Sequence, residues 1–296
     1  MIAIAVKYTT PGLLERLEEG MFFFKKTGCR VQIREKMMND WPHYLCVLEK
    51  KGAETDYEAG LLFKRILAEN LTDFVMSEQS VPYLGDILSH YYFYFPSDER
   101  REILALAHKH YENERVKDGG GQVYSEVLEQ MRGFLEGSRY FNLHGFIVFR
   151  LRIWLELLRK CVDNAVNDFL LEKEYQEFIK LLKYFVALQE PKMDLIHVTA
   201  NEDGQINLLD EHYQAIEWSE DNMQWDWDES FVDEEDQLVS MLITVAPHRV
   251  MLHRNVHARF PKAADTLKHV FENRVTLCKR CKLCQEVNKH LTLKEK

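Results

Sequence analysis

The chain lacks any apolar run long enough to cross a bilayer. Apolar or aromatic stretches such as residues 91–95 fall far short of the roughly 20 residues a membrane helix needs. A secretory leader is not expected either, because residues 1–6 are apolar for only a few positions before Lys7, with no basic start and no small-residue cleavage site. These absences point to a cytoplasmic protein. Catalytic signatures are missing as well: there is no GxSxG, no HExxH, and no Ser, His and Asp set in a supporting context. Gly119, Gly120 and Gly121 have no lysine after them at Walker A spacing and no strand before them, so they read as a loop rather than a phosphate cradle. The sequence leans away from an enzyme.

One sign of charge is missing over a long stretch. Residues 193–248 contain no Lys or Arg and fifteen acids, whereas residues 249–296 carry twelve Lys or Arg against four acids, within a chain of net charge -10. Ten of the twenty positions in 217–236 are acidic, interleaved with Trp218, Trp225, Trp227 and Phe231. That composition fits a solvated loop anchored by its tryptophans, or an acidic-aromatic segment that binds a protein partner. The basic C-terminal residues Arg249, Arg254, Arg259, Lys262, Lys268, Arg274, Lys279, Arg280 and Lys282 offer phosphate contacts, so nucleic-acid binding is a third reading. The acidic body ranks it last.

Six cysteines in a cytosolic chain are expected to be reduced, which favours metal or thiol chemistry over a disulfide framework. Three of them, Cys278, Cys281 and Cys284, form a CxxCxxC run within the last nineteen residues. They are the candidate metal ligands. Steps of three residues drift by about 60° each around a helix, so convergence on one ion requires a knuckle or loop. Zinc or an iron–sulfur cluster is the cofactor such thiols suit, and a structural zinc site takes four ligands. The ferredoxin continuation fails, since Asn288 and Lys289 stand where a fourth Cys and a Pro belong. His290 is the nearest fourth ligand in sequence, with His253 and His257 as spatial candidates and Cys29, Cys46 and Cys161 left open. A redox role competes, because Lys279, Arg280 and Lys282 favour thiolates. Partly buried, inert thiols at a strand end are the bland alternative.

Periodicity predicts an α+β, mainly helical chain in three parts. Residues 1–52 form a small α/β unit: strands over 2–6, 29–35 and 44–49, and a helix over 13–26. Pro11 suits that helix's first turn, Lys25 and Lys26 its negative end, and Gly28 its C-cap. Phe22, Phe23 and Phe24 read as core. Residues 53–192 form an all-helical domain, in which the aromatic run 91–95 reads as buried and 146–189 as two helices. Acids such as Asp163, Asp168, Glu172 and Glu174 are expected to pair with Lys173 and Arg159. His108 and His110 read as exposed, and His197 as structural. Residues 193–296 hold a β-hairpin (194–200 with 205–209), the acidic segment, and a βαβ module with strands over 248–253 and 275–278, helices over 236–245 and 261–273. Asn255 and Pro261 argue against a helix around His257. The module puts the thiols at the carboxyl end of a parallel strand, where open α/β sheets place ligands.

The wording of several segments resembles the YtxC-like sporulation proteins of endospore-forming Gram-positive bacteria. The resemblance is carried by Phe149-Arg150-Leu151, by Val162-Asp163-Asn164-Ala165-Val166 with Asp168-Phe169-Leu170, and most specifically by Glu172-Lys173-Glu174-Tyr175-Gln176-Glu177-Phe178-Ile179. Residues 181–186, Gln189-Glu190-Pro191-Lys192 with Asp194-Leu195-Ile196-His197-Val198, residues 236–247, and Asn273-Arg274-Val275 with the three cysteines extend it. It implies a cytoplasmic, sporulation-associated protein, and brings no catalytic residues with it.

Overall fold

In a computed structural model the described residues are 1–7, 12–22, 24, 29–38, 41–49, 56–117, 121–200, 205–216, 234–279, 281 and 284. Pro11, Phe23, Lys25, Lys26, Gly28, Gly119, Gly120, the hairpin loop 201–204, the acidic-aromatic segment 217–233 and His290 lie outside them. The chain is mainly helical with two small mixed sheets, as its periodicity predicts. Its contacts divide it into two compact units, Met1–Leu171 and Glu172–Lys296.

In the first unit, β1 (Ile2–Ala5) lies between β3 (Trp41–Glu49), antiparallel, and β4 (Tyr140–Asn142), parallel, while β2 (Arg30–Met38) pairs antiparallel with β3. The strand β4 interrupts a stretch expected to be all-helical. Three residues are too few to show a period of two, and only their pairing with β1 makes them a strand. That pairing also draws the N-terminal elements and the helices into one unit, so neither the expected boundary after 52 nor the one after 192 coincides with a division between compact units.

The helices of this unit follow from spacing. In α1 (Leu13–Gly20), Leu13 and Leu17 are buried one turn apart, after Gly12 enters with φ 99, a conformation glycine adopts without strain. Then come α2 (Asp56–Ser77), α3 (Ser80–Tyr91), α4 (Ser97–Lys117) and α5 (Gln122–Gly137). Asn142 caps α6 (Leu143–Arg150), its side-chain oxygen accepting from the Gly145 N–H at 2.9 Å. Helix α7 (Arg152–Leu188) runs past the end of the unit, so 146–189 does hold two helices, divided at Leu151.

The aromatic run is not buried. Phe93 is 72% and Tyr94 62% exposed, Tyr92 is half-buried against the core, and only Phe95 is fully covered, edge-on to Phe169. The run forms the turn between α3 and α4, which points most of its side chains outward. Phe22 is likewise exposed, while Phe24 is core. Among the α7 acids, Asp163 accepts from the Tyr92 hydroxyl at 2.7 Å, Asp168 meets His110 Nε2 at 2.7 Å, and Glu172 accepts from Gln176 at 2.7 Å. The Arg159 guanidinium lies 4.4 Å from the centre of the Tyr91 ring.

At the heart of the unit, Trp154 Nε1 donates to the Tyr111 hydroxyl at 3.0 Å, and that hydroxyl donates to the Met76 carbonyl at 2.7 Å. Both rings are fully buried. Tyr111→Phe removes the shared oxygen and leaves a donor and an acceptor unpaired, so it is expected to cost about 2–3 kcal/mol in urea unfolding. A loss under about 0.5 kcal/mol would show that the pair is not needed.

The second unit is ordered β6-β5-β7-β8. The hairpin strands β5 (Leu195–Ala200) and β6 (Ile206–Leu209) are antiparallel, whereas β5, β7 (Arg249–Leu252) and β8 (Val275–Leu277) are parallel. Helix α8 (Glu234–Val245) buries Leu238, Leu242 and Val245 at the three- and four-residue spacing of one face. Between β7 and β8 stand α9 (Arg254–Arg259) and α10 (Pro261–Phe271).

Helix α9 corrects the reading of the segment around His257. Asn255 does not break it, because its amide Nδ2 donates to the Ala200 carbonyl while its Oδ1 accepts from the Val256 N–H at 3.0 Å. Pro261 ends α9 only by opening α10 at its first position, where no N–H is needed. Glu235 Oε2 accepts from the Ala263 N–H near that helix start at 2.6 Å. Glu235→Ala is therefore expected to lower stability by about 1 kcal/mol, read by thermal unfolding, and an unchanged midpoint would show that the contact contributes nothing.

Candidate metal centre

The site grows from the register of the parallel pair. Leu252 of β7 lies opposite Leu277 of β8, and the Cys278 N–H continues the ladder to the Leu252 carbonyl at 2.9 Å. The next residues out, His253 and Cys278, therefore leave the carboxyl edge side by side. His253 adopts an extended conformation at the N-cap of α9, its backbone N–H bonded to the Val198 carbonyl of β5 at 3.0 Å. The expected location of the thiols at this edge is what the strands produce.

Cys281 and Cys284 return to the same point. Cys281 Sγ lies 3.3 Å and Cys284 Sγ 3.4 Å from His253 Nδ1, and Cys284 Sγ lies 3.9 Å from Cys278 Sγ. The four ligand atoms all lie within 4.8 Å of one another, a group that can hold a metal ion. His253 is 2% exposed and Cys284 3%, while Cys278 and Cys281 are half-buried.

Among the described residues, the other candidates do not join this group. His257 is exposed in the last turn of α9, and His290 lies outside the described residues. Cys46 and Cys161 are sealed in the first unit's core, where burial pushes their thiols up to about 12 and about 11. Such groups stay protonated and inert. Cys29 packs against the same core.

Electrostatics around the site favour neutral groups. Burial, and secondarily His197, holds His253 below the ordinary imidazole range. Burial pushes the Cys284 thiol up, opposed by the backbone N–H groups of Arg254 and Cys281, which stabilise its thiolate. An uncharged imidazole is ready to ligate as it stands, whereas three clustered thiolates need a cation to balance them. The second ring nitrogen of His253 meets His197 Nδ1 at 3.1 Å. His197, expected to be merely structural, is thus directly behind a candidate ligand. The alternation of its strand carries no sign of this.

The basic residues are divided by the same strands. Arg249 and Arg274 stand at the amino ends of β7 and β8, Arg254 and Lys279 at the carboxyl ends. Lys268 is paired with Asp265 at 3.0 Å. Among the described residues, no helix is long and apolar enough to cross a membrane.

Comparison with known proteins covers most of both units. The family model described as the YtxC-like family matches residues 65–276, ending two residues before Cys278. A curated relative, the "Uncharacterized protein YtxC" of Bacillus subtilis (strain 168), is 24% identical over 226 residues, covering 72% of this chain and 76% of the relative. No solved structure matches the chain.

Proposed function

The chain belongs to the YtxC-like family, and we propose that it is a cytoplasmic, non-enzymatic, sporulation-associated interaction protein whose second unit is organised by one zinc ion on His253, Cys278, Cys281 and Cys284. One observation carries the metal. The separations of 3.3, 3.4 and 3.9 Å among these atoms bracket the edges of a tetrahedral zinc site, about 3.6–3.8 Å for bonds of about 2.3 Å to sulfur and 2.1 Å to nitrogen. An iron–sulfur cluster interposes its own irons and sulfides between the thiolates, so it needs ligands spread more widely than this.

The donor set also bears on activity. Three cysteines and a histidine fill all four positions, leaving none for water or substrate, as in zinc sites that hold structure. Support for an interaction role comes from Phe178, Leu181, Tyr184, Phe185 and Leu188, all exposed along the second half of α7. The sporulation context rests on the sequence resemblance alone.

Anaerobic purification with elemental analysis and a visible spectrum tests the reading. One zinc per chain and a featureless visible spectrum are expected. Sub-stoichiometric metal would remove the centre, and charge-transfer bands with iron and sulfide would replace zinc by a cluster. Deletion of the gene is expected to lower spore yield without slowing vegetative growth, and an unchanged yield would remove the sporulation role.

A further inference from the structure

We infer that His197 is the positioning residue of this centre: its Nδ1 accepts a hydrogen bond from His253 Nε2–H and so reserves the His253 Nδ1 lone pair for the ion. The inference rests on the metal reading and adds to it a residue from a different strand.

A neutral imidazole carries one N–H. His253 Nδ1 faces two sulfurs, at 3.3 and 3.4 Å, so it is the ligating atom and the proton belongs on Nε2. The Nε2 atom lies 3.1 Å from His197 Nδ1, which must then be unprotonated and carry its own proton on Nε2. Both side chains are buried, and an unpaired ring nitrogen in such a place is unfavourable. The two tautomers are therefore set together.

His197 is held from three sides. Its backbone lies in β5 opposite Leu209 of β6 and Met251 of β7, so strands flank it on both edges. The Tyr213 ring covers it, with centroids 4.6 Å apart and planes 33° from parallel. Tyr213 has φ 62, a left-handed conformation that costs a tyrosine energy. The turn around it enforces that conformation: Asp210 Oδ1 accepts from the N–H groups of His212 and Gln214, each at 2.8 Å, and the Asp210 carbonyl accepts from the Tyr213 N–H at 3.0 Å. Strain maintained by a built turn, directly over the ring behind a ligand, marks His197 as more than filling. Histidine ligands commonly donate their second N–H to a fixed acceptor, whose loss typically weakens metal binding 10–100-fold.

Two variants separate positioning from packing. In His197→Asn the amide oxygen sits near the place of Nδ1 and still accepts, so zinc affinity, measured by competition with a chromogenic chelator, is expected within about tenfold of wild type. His197→Leu suits a buried strand better than Asn yet accepts nothing, and is expected to lose about 10–100-fold. A packing role predicts the reverse order. Nitrogen-15 NMR of the zinc-loaded wild type is expected to show His253 coordinated through Nδ1 with its proton on Nε2. Coordination through Nε2, equal affinities for Leu and wild type, or equal losses in both variants would overturn the inference alone. A wild type that binds no zinc would overturn the metal reading, and the inference with it.

Discussion

Cys284→Ser, purified without oxygen, is expected to hold less than a tenth of the zinc of the wild type at micromolar chain after dialysis against a weak chelator. A serine hydroxyl does not ionise near neutral pH and is a harder donor than thiolate, so the variant offers three ligands where a closed site needs four. A structural zinc site contributes roughly 10–16 kcal/mol of apparent binding free energy. Shared evenly over four ligands, that is about 3 kcal/mol each, or a hundredfold and more in affinity. Cys284 is the sharpest place to test this because it is the most buried of the three thiols and meets both His253 and Cys278. Cys29→Ser, in the other unit, is expected to keep its zinc. Equal zinc in Cys284→Ser and wild type would show that the ion, if present, sits elsewhere.

How much of this centre the sequence discloses depends on which contacts are local. The thiols sit within seven residues, and the helical and strand periods on either side are short-range, so the carboxyl-edge location is readable from the chain. The fourth ligand is not, because His253 becomes a neighbour of Cys278 only through the register of Leu252 opposite Leu277. His290 is nearer in sequence and His257 lies on the same segment, and only that pairing places His253 beside Cys278. His197 is farther from view, reached only through a second parallel pairing, of β5 with β7. The same reason hides β4, a three-residue strand made by β1. The aromatic run 91–95 fails differently: composition announces burial, but the turn between two helices decides which way the rings face. Asn255 misleads in a third way. It is a residue that weakens helices in isolation, yet here its side chain bonds to Ala200 and to the α9 backbone.

Removing the ion is expected to release β8 and the three cysteines that follow it while leaving the first unit intact. Strand β8 is three residues long, with Val275 half-buried and Thr276 and Leu277 exposed, so little apolar burial holds it. Its ladder to β7 and the four-ligand junction are its principal described attachments. Chelation under reducing conditions should therefore accelerate amide exchange over residues 275–278 by at least a hundredfold, the factor that about 3 kcal/mol of lost protection gives. The β1–β3 amides are expected to stay protected. Acidification should act in the same direction. His197 and His253 are both held below the ordinary imidazole range, chiefly by burial, so the unfolded chain binds more protons than the folded one as pH falls through about 6.5. Their contribution to stability is present above that pH and lost below it. Metal-free Cys284 has the opposite sign: its thiol is pushed up, so the metal-free unit loses stability as pH rises above the ordinary thiol range. The metal-free second unit should thus be most stable between the two ranges, whereas bound zinc keeps the thiolates ionised and removes the alkaline limit. Exchange over 275–278 that is the same with and without chelator, at pH 7 and after acidification, would mean that the strand holds itself and that the thiols are passive.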